Sequence, residues 1–151
     1  MDCHVSSYKH QKQKHLFKIK NFTMIKKRYN PLKEKLDENR EKYIWLFQNC
    51  MGLERGYRPT LTNIALAACY NYQKVHEEEY VASQITKYLH TLRSSEIFLY
   101  MTFLEEVGYV KTTKINSRNA KVRTLTKKGK VAAKKIDEYL MQVYQDANQQ
   151  I

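Results

Sequence analysis

The chain is poor in residues that interrupt helices and in those that build metal or phosphate cradles. It has only four glycines and two prolines in 151 residues, so most of its length is free to be helical. For the same reason there is no material for a glycine-rich phosphate loop. Cys3, Cys50 and Cys69 are odd in number and lack the close pairing of a zinc knuckle. No metal, cofactor or ligand is expected. Nucleophile–base pairs are absent too, and Glu77, Glu78 and Glu79 are consecutive, so on a helix their carboxylates diverge; an enzyme is not expected. The longest apolar run, near Ile97–Leu104, is interrupted by Thr102 and is far shorter than the roughly 20 residues of a membrane helix. Lys18 and Lys20 break up Leu16, Phe17 and Ile19, so the N-terminus has no signal-peptide core. The expectation is a cytoplasmic, nucleoid-associated protein with free thiols.

What is present is positive charge, unevenly placed. Twenty-seven Lys and Arg face 15 Asp and Glu, a formal net charge of +12 that favours a polyanionic partner. Lys111 to Lys135 holds ten basic residues and no acidic one. Residues 1–30 hold eight basic residues against Asp2, and 31–110 is slightly acidic. Residues 1–29 have no sustained period. They read as a flexible tail, as an arm adding non-specific phosphate affinity, or as incidental sequence upstream of a natural start at Met24.

Asn30-Pro31 is a good helix start, and Leu36, Tyr43, Ile44, Leu46, Phe47 and Cys50 make an apolar stripe that predicts a helix to about Cys50. Trp45 fits a core or a dimer seam. Leu61 to Cys69 predicts a second helix, fading near Tyr72–Gln73, with Lys74-Val75-His76 as a connection. Glu77-Glu78-Glu79 then opens a third helix through Tyr80, Val81, Ile85, Tyr88 and Leu89, complementing its dipole. After the turn His90-Thr91-Leu92-Arg93, Ile97, Met101 and Leu104 mark a fourth, closed by Gly108. Tyr109–Ile115 and Ala120–Thr126 are rich in β-formers and flank a hairpin tip, Asn116-Ser117-Arg118-Asn119. Lys127–Gln149 predicts a long helix striped by Ala133, Ile136, Leu140, Val143 and Ala147. Its own domain offers little to cover that stripe, so burial against a second copy, together with the 30–50 helix, is expected; an intramolecular helix pair is the alternative.

This order resembles the MarR family of dimeric bacterial transcription regulators, including its SarA-like branch. The carrying residues are Tyr80–Val110 and Ser117–Gly129. Thr91 to Ile97 followed by Leu104-Glu105-Glu106-Val107-Gly108-Tyr109-Val110 resembles the family's recognition helix and first wing strand. Arg118 to Gly129 resembles the wing return and the L-T-x-x-G start of the last helix. Two positions depart from the family. Ser117-Arg118-Asn119 stands where Asp-x-Arg is common at the wing, and Phe98, Leu99 and Thr102 stand where polar or basic residues are usual.

The resemblance implies a mainly α fold with a small β-hairpin wing: residues 1–29 as tail, and 30–151 as a winged helix-turn-helix DNA-binding domain with N- and C-terminal dimerisation helices. It also implies a homodimer, held by the 30–50 and 130–149 helices, that presents two recognition helices to successive major grooves of double-stranded DNA, about 34–36 Å apart. Arg93, Ser94 and Ser95 would meet base edges or phosphates, unless the serines are helix caps. Phe98, Leu99 and Thr102 would touch thymine methyls or another protein. Arg118 would enter the minor groove, and Lys114, Lys121 and Arg123 would neutralise phosphates. The rival readings are a non-specific architectural nucleic-acid-binding protein and a winged-helix protein–protein adaptor.

Overall fold

A computed structural model describes residues 37–149, of which Asp37–Ala147 form one compact unit. The tail at 1–29, the Asn30-Pro31 start and Leu36 lie outside the described residues. Five helices and one hairpin follow in order: α1 Arg40–Asn49, α2 Leu61–His76, α3 Ala82–Tyr88, α4 Ser94–Glu106, β1 Val110–Ile115, β2 Lys121–Leu125 and α5 Lys127–Gln149. No helix among the described residues is long and apolar enough to cross a membrane.

The core forms where α2 runs through the middle of the unit. Ile64 through Cys69 are all buried, so the small residues Ala65, Ala67 and Ala68 let neighbouring helices approach closely. In α1 the five consecutive residues Tyr43–Phe47 are buried, so this helix is enclosed on every side over that turn. Trp45 is therefore core: it is 3% exposed and meets Tyr144 of α5 edge-on at 5.4 Å. The Tyr43 hydroxyl also donates to Asp137 of α5.

These contacts set side chains of α1 against α5 within a single chain. Ala133, Leu140 and Val143 of α5 are buried, and each fully buried Leu or Val stabilises the fold by about 1.5–3 kcal/mol. A polar knot ties the start of α1 to α2 and α3. The Tyr88 hydroxyl donates to Asp37 at 2.5 Å, Asn71 Nδ2 donates to the same carboxylate at 2.6 Å, and Arg40 Nε donates to the Tyr88 carbonyl at 2.9 Å.

Around the α2–α3 connection the structure departs from the sequence pattern. Thr60 caps α2 by accepting from the Asn63 amide at 3.1 Å, and the helix does not fade at Tyr72 but continues to His76. Tertiary bonds hold that last stretch. Gln73 Nε2 donates to Thr124 at 2.8 Å while its carbonyl accepts from the Leu125 amide at 3.1 Å. Glu77 is left-handed at φ 54° and ends α2 rather than opening α3. Tyr80 then pairs with Arg123 through both backbone bonds, at 3.1 and 2.8 Å, as a one-residue bridge to the hairpin. That pairing holds the chain extended, so α3 begins only at Ala82.

From there the sequence pattern is followed closely. His90 turns the chain at φ 52° between α3 and α4. Ile97, Met101 and Leu104 are the buried face of α4. Gly108 lies at φ 82°, and the Tyr109 amide reaches back to the Leu104 carbonyl at 2.8 Å in a Schellman closure. β1 and β2 pair antiparallel from Val110–Leu125 to Ile115–Lys121, with a bulge between Thr112 and Lys114. Asn116 builds the tip: its side-chain oxygen accepts from the Arg118 and Ala120 amides, both at 2.9 Å. Thr126 caps α5 by accepting from the Gly129 amide at 3.0 Å.

Candidate nucleic-acid interface

The hairpin and the first turns of α5 carry the basic run, and nine of its ten cations are exposed. Lys111 and Lys114 stand on β1, Arg118 at the tip, and Lys127, Lys130 and Lys134 share one face of α5 at helical spacing. Among the described residues none of these six has a carboxylate partner. Two other cations are committed internally. Lys121 lies 4.0 Å from Glu105, and Lys128 donates to the Val107 carbonyl at 3.2 Å, closing the C-terminal end of α4.

Lys135 is exposed on α5 as well; the tenth is Arg123, and the assignment of a phosphate-neutralising role to it is corrected. Its side chain is 1% exposed, its Nε lies 3.4 Å from Glu105, and its guanidinium is 5.7 Å from the Phe98 ring centroid. Strand alternation turns it inward with Leu125.

Arg93, Ser94 and Ser95 are exposed at the start of α4. Arg93 is the N-cap residue, without a side-chain cap bond, so the serines occupy the first two helical positions and do not cap. Arg93 also pairs with Glu96 at 3.6 Å, which absorbs part of its charge.

The outward face of α4 is apolar. Phe98, Leu99 and Phe103 are 49%, 63% and 53% exposed, and Leu92 in the preceding turn is fully exposed. Thr102 is half-buried and its hydroxyl donates back to the Phe98 carbonyl at 2.9 Å. The helix has three glutamates and no Lys or Arg. Phe103 was missed by the sequence reading although it follows Leu99 by one helical repeat.

Glu105 holds the hairpin against this helix. It accepts from the Thr112 hydroxyl and faces Arg123 and Lys121. The Thr112 bond, with help from the two cations and against partial burial, holds its carboxyl below the usual range. On the other side of the wing, Thr113 donates to Glu79. An open groove there is lined by Glu77–Glu79, Val81 and Gln84 on one wall, and by Lys114, Val122 and the tip residues Asn116, Ser117 and Arg118 on the other. The three glutamates thus face the wing from a loop.

No cluster of His, Cys, Asp and Glu among the described residues is arranged to hold a metal. Cys69 is fully buried, 3.7 Å from the Met101 sulfur, and burial pushes its thiol up to about 12.

A helix-turn-helix followed by a two-stranded antiparallel hairpin and a long terminal helix defines a winged-helix protein. No protein-family model and no curated protein matches the sequence. Among solved structures the chain is similar to MepR, a transcription regulator of the Staphylococcus aureus multidrug efflux pump MepA. The identity is 14%, the match covers 75% of this chain and 78% of that one, and the TM-score is 0.46.

Proposed function

We propose that this winged helix is a double-stranded-DNA-binding transcription regulator that acts as a homodimer, and that its wing supplies most of the affinity. The observation that carries this reading is the set of six exposed cations on the hairpin and the adjoining face of α5, none with a carboxylate partner among the described residues, in a stretch with no carboxylate of its own. A duplex presents one phosphate about every 1.7 Å along its axis, so a cationic ribbon and helix start suit its backbone and grooves. Arg118 at the tip would reach the minor groove, and Lys111 and Lys114 the flanking phosphates. Arg93, Ser94 and Ser95 would meet the major groove, with Phe98, Leu99 and Thr102 behind them. In the dimer, the exposed Val131 and Tyr139 of α5 are free to contribute to the seam.

The test is affinity for a selected against a random duplex at fixed salt, followed across a salt series. Replacing Lys111 and Lys114 by Ala lowers the salt slope by about 1.8 log units per log salt, at about 0.9 per phosphate contact. An unchanged slope removes the wing from the interface, and equal affinity for both duplexes replaces the regulator with an architectural protein. Sedimentation equilibrium without DNA tests the homodimer.

One observation favours a second reading, a winged-helix adaptor. The outward face of α4 offers Phe98, Leu99 and Phe103 without a single cation. Phe98→Ser separates the two: loss of a protein partner with DNA binding intact supports the adaptor.

A further inference from the structure

The wing meets α4 at a buried charge. Arg123 and Leu125 are the inward residues of β2, so Arg123 fills a slot where the alternation of a half-buried strand asks for an apolar side chain. Its Nε bonds Glu105 of α4 at 3.4 Å, its guanidinium lies 5.7 Å from the ring centroid of Phe98, and its backbone pairs twice with Tyr80. The same Glu105 takes the Thr112 hydroxyl from β1. One ion pair therefore touches both wing strands, the segment that precedes α3 and the outward face of α4.

Such a pair contributes little to stability. Taking the Arg123 charge out of water offsets much of its attraction to Glu105, and Glu105 is itself part-exposed and keeps Thr112 and Lys121 when the arginine is replaced. Among the described residues the Arg123 Nη2 finds no hydrogen-bond partner, a further cost. A planar guanidinium supplies direction, which a flexible apolar chain does not.

We infer that Arg123 is a positioning residue: it sets the pitch of the wing against α4, so that the wing cations and the first turn of α4 meet a duplex as one rigid surface. This rests on the DNA-binding reading above. It also accounts for a charged residue at an inward strand position, where stability alone favours Val or Leu.

Arg123→Met and Arg123→Lys are compared with the unaltered protein in three measurements. These are thermal melting, affinity for a random-sequence duplex at fixed salt, and residual dipolar couplings of the β1–β2 amides against those of α4 without DNA. Arg123→Met melts at or above the original temperature while its affinity falls about tenfold, equivalent to about 1.4 kcal/mol. Its wing couplings no longer share the orientation they have with α4 in the unaltered protein. Arg123→Lys restores the charge but not the fork, and stays close to Arg123→Met in affinity and couplings. Unchanged couplings in Arg123→Met, full rescue by Arg123→Lys, or loss of folding in both variants would each overturn the assignment. If the unaltered protein does not bind duplex, the couplings still decide the pitch, and it is the DNA reading that falls.

Discussion

Replacing Gly129 by Ala sets two physical effects against each other, and the structure predicts which one wins. Gly129 sits in the first turn of α5, where helix propensity alone favours Ala by up to about 1 kcal/mol. Its φ is ordinary, so backbone strain offers no reason for glycine. The reason is proximity: a Cβ there would lie 1.8 Å from the Tyr109 carbonyl oxygen and 2.7 Å from its carbon. Both are backbone atoms and cannot rotate away, so α5 or the start of the wing must shift by more than an ångström. That shift strains the Thr126 amide bond to the Tyr109 carbonyl at 3.0 Å and the Thr126 hydroxyl bond to the Gly108 carbonyl at 2.6 Å. Overpacking costs about 1–3 kcal/mol and each weakened hydrogen bond about 1 kcal/mol, so the net loss after the propensity gain is roughly 2–4 kcal/mol. Thermal unfolding followed by circular dichroism should show Tm falling by roughly 10 °C. Gly52→Ala is the control, because a Cβ there meets nothing within 4 Å; its effect stays within about 0.5 kcal/mol. A neutral or raised Tm for Gly129→Ala refutes the close-approach argument.

Three further outcomes follow from named groups. Glu105 is held below the ordinary carboxylate range, chiefly by the Thr112 hydroxyl, so its contribution is present above the unfolded pKa of about 4.3 and is lost as pH falls through the lower folded value. Glu105→Gln should therefore flatten the acid limb of a stability–pH curve below about pH 4.5; an unaltered limb contradicts the pairing. Tyr88→Phe removes the hydroxyl from the Asp37–Asn71 knot and should cost about 1–2 kcal/mol in urea unfolding, a figure that a solvent-exposed hydroxyl would not approach. With Cys3 replaced by Ser, the native protein should release almost no chromophore from a disulfide reagent at pH 8. The Cys69 thiol is buried and raised to about 12, and burial raises Cys50 as well. Rapid reaction before unfolding would place one of these thiols at the surface.

Sequence periodicity was sufficient wherever the signal was local. The four-and-three spacing of Ile97, Met101 and Leu104 named the buried face of α4, Gly108 named its end, and Asn116–Asn119 named the wing tip, because caps and turns are decided by a few neighbouring residues. α5 was read from Lys127 to Gln149, as it is found. The reading failed where distant strands compete for the backbone. Glu77-Glu78-Glu79 has the composition of a helix start, yet Tyr80 is drawn straight by Arg123, a residue 43 positions away.

The sequence by itself determined the helical character, the hairpin and the concentration of positive charge, since propensity, turn chemistry and composition are properties of short stretches. Tertiary structure alone decided which cations face outward. Lys111 and Arg123 belong to the same acid-free run, but one is exposed on β1 and the other is enclosed beside Glu105 and Phe98. Strand register and the packing of α4 against the wing set that difference, and both depend on contacts between residues far apart in the chain.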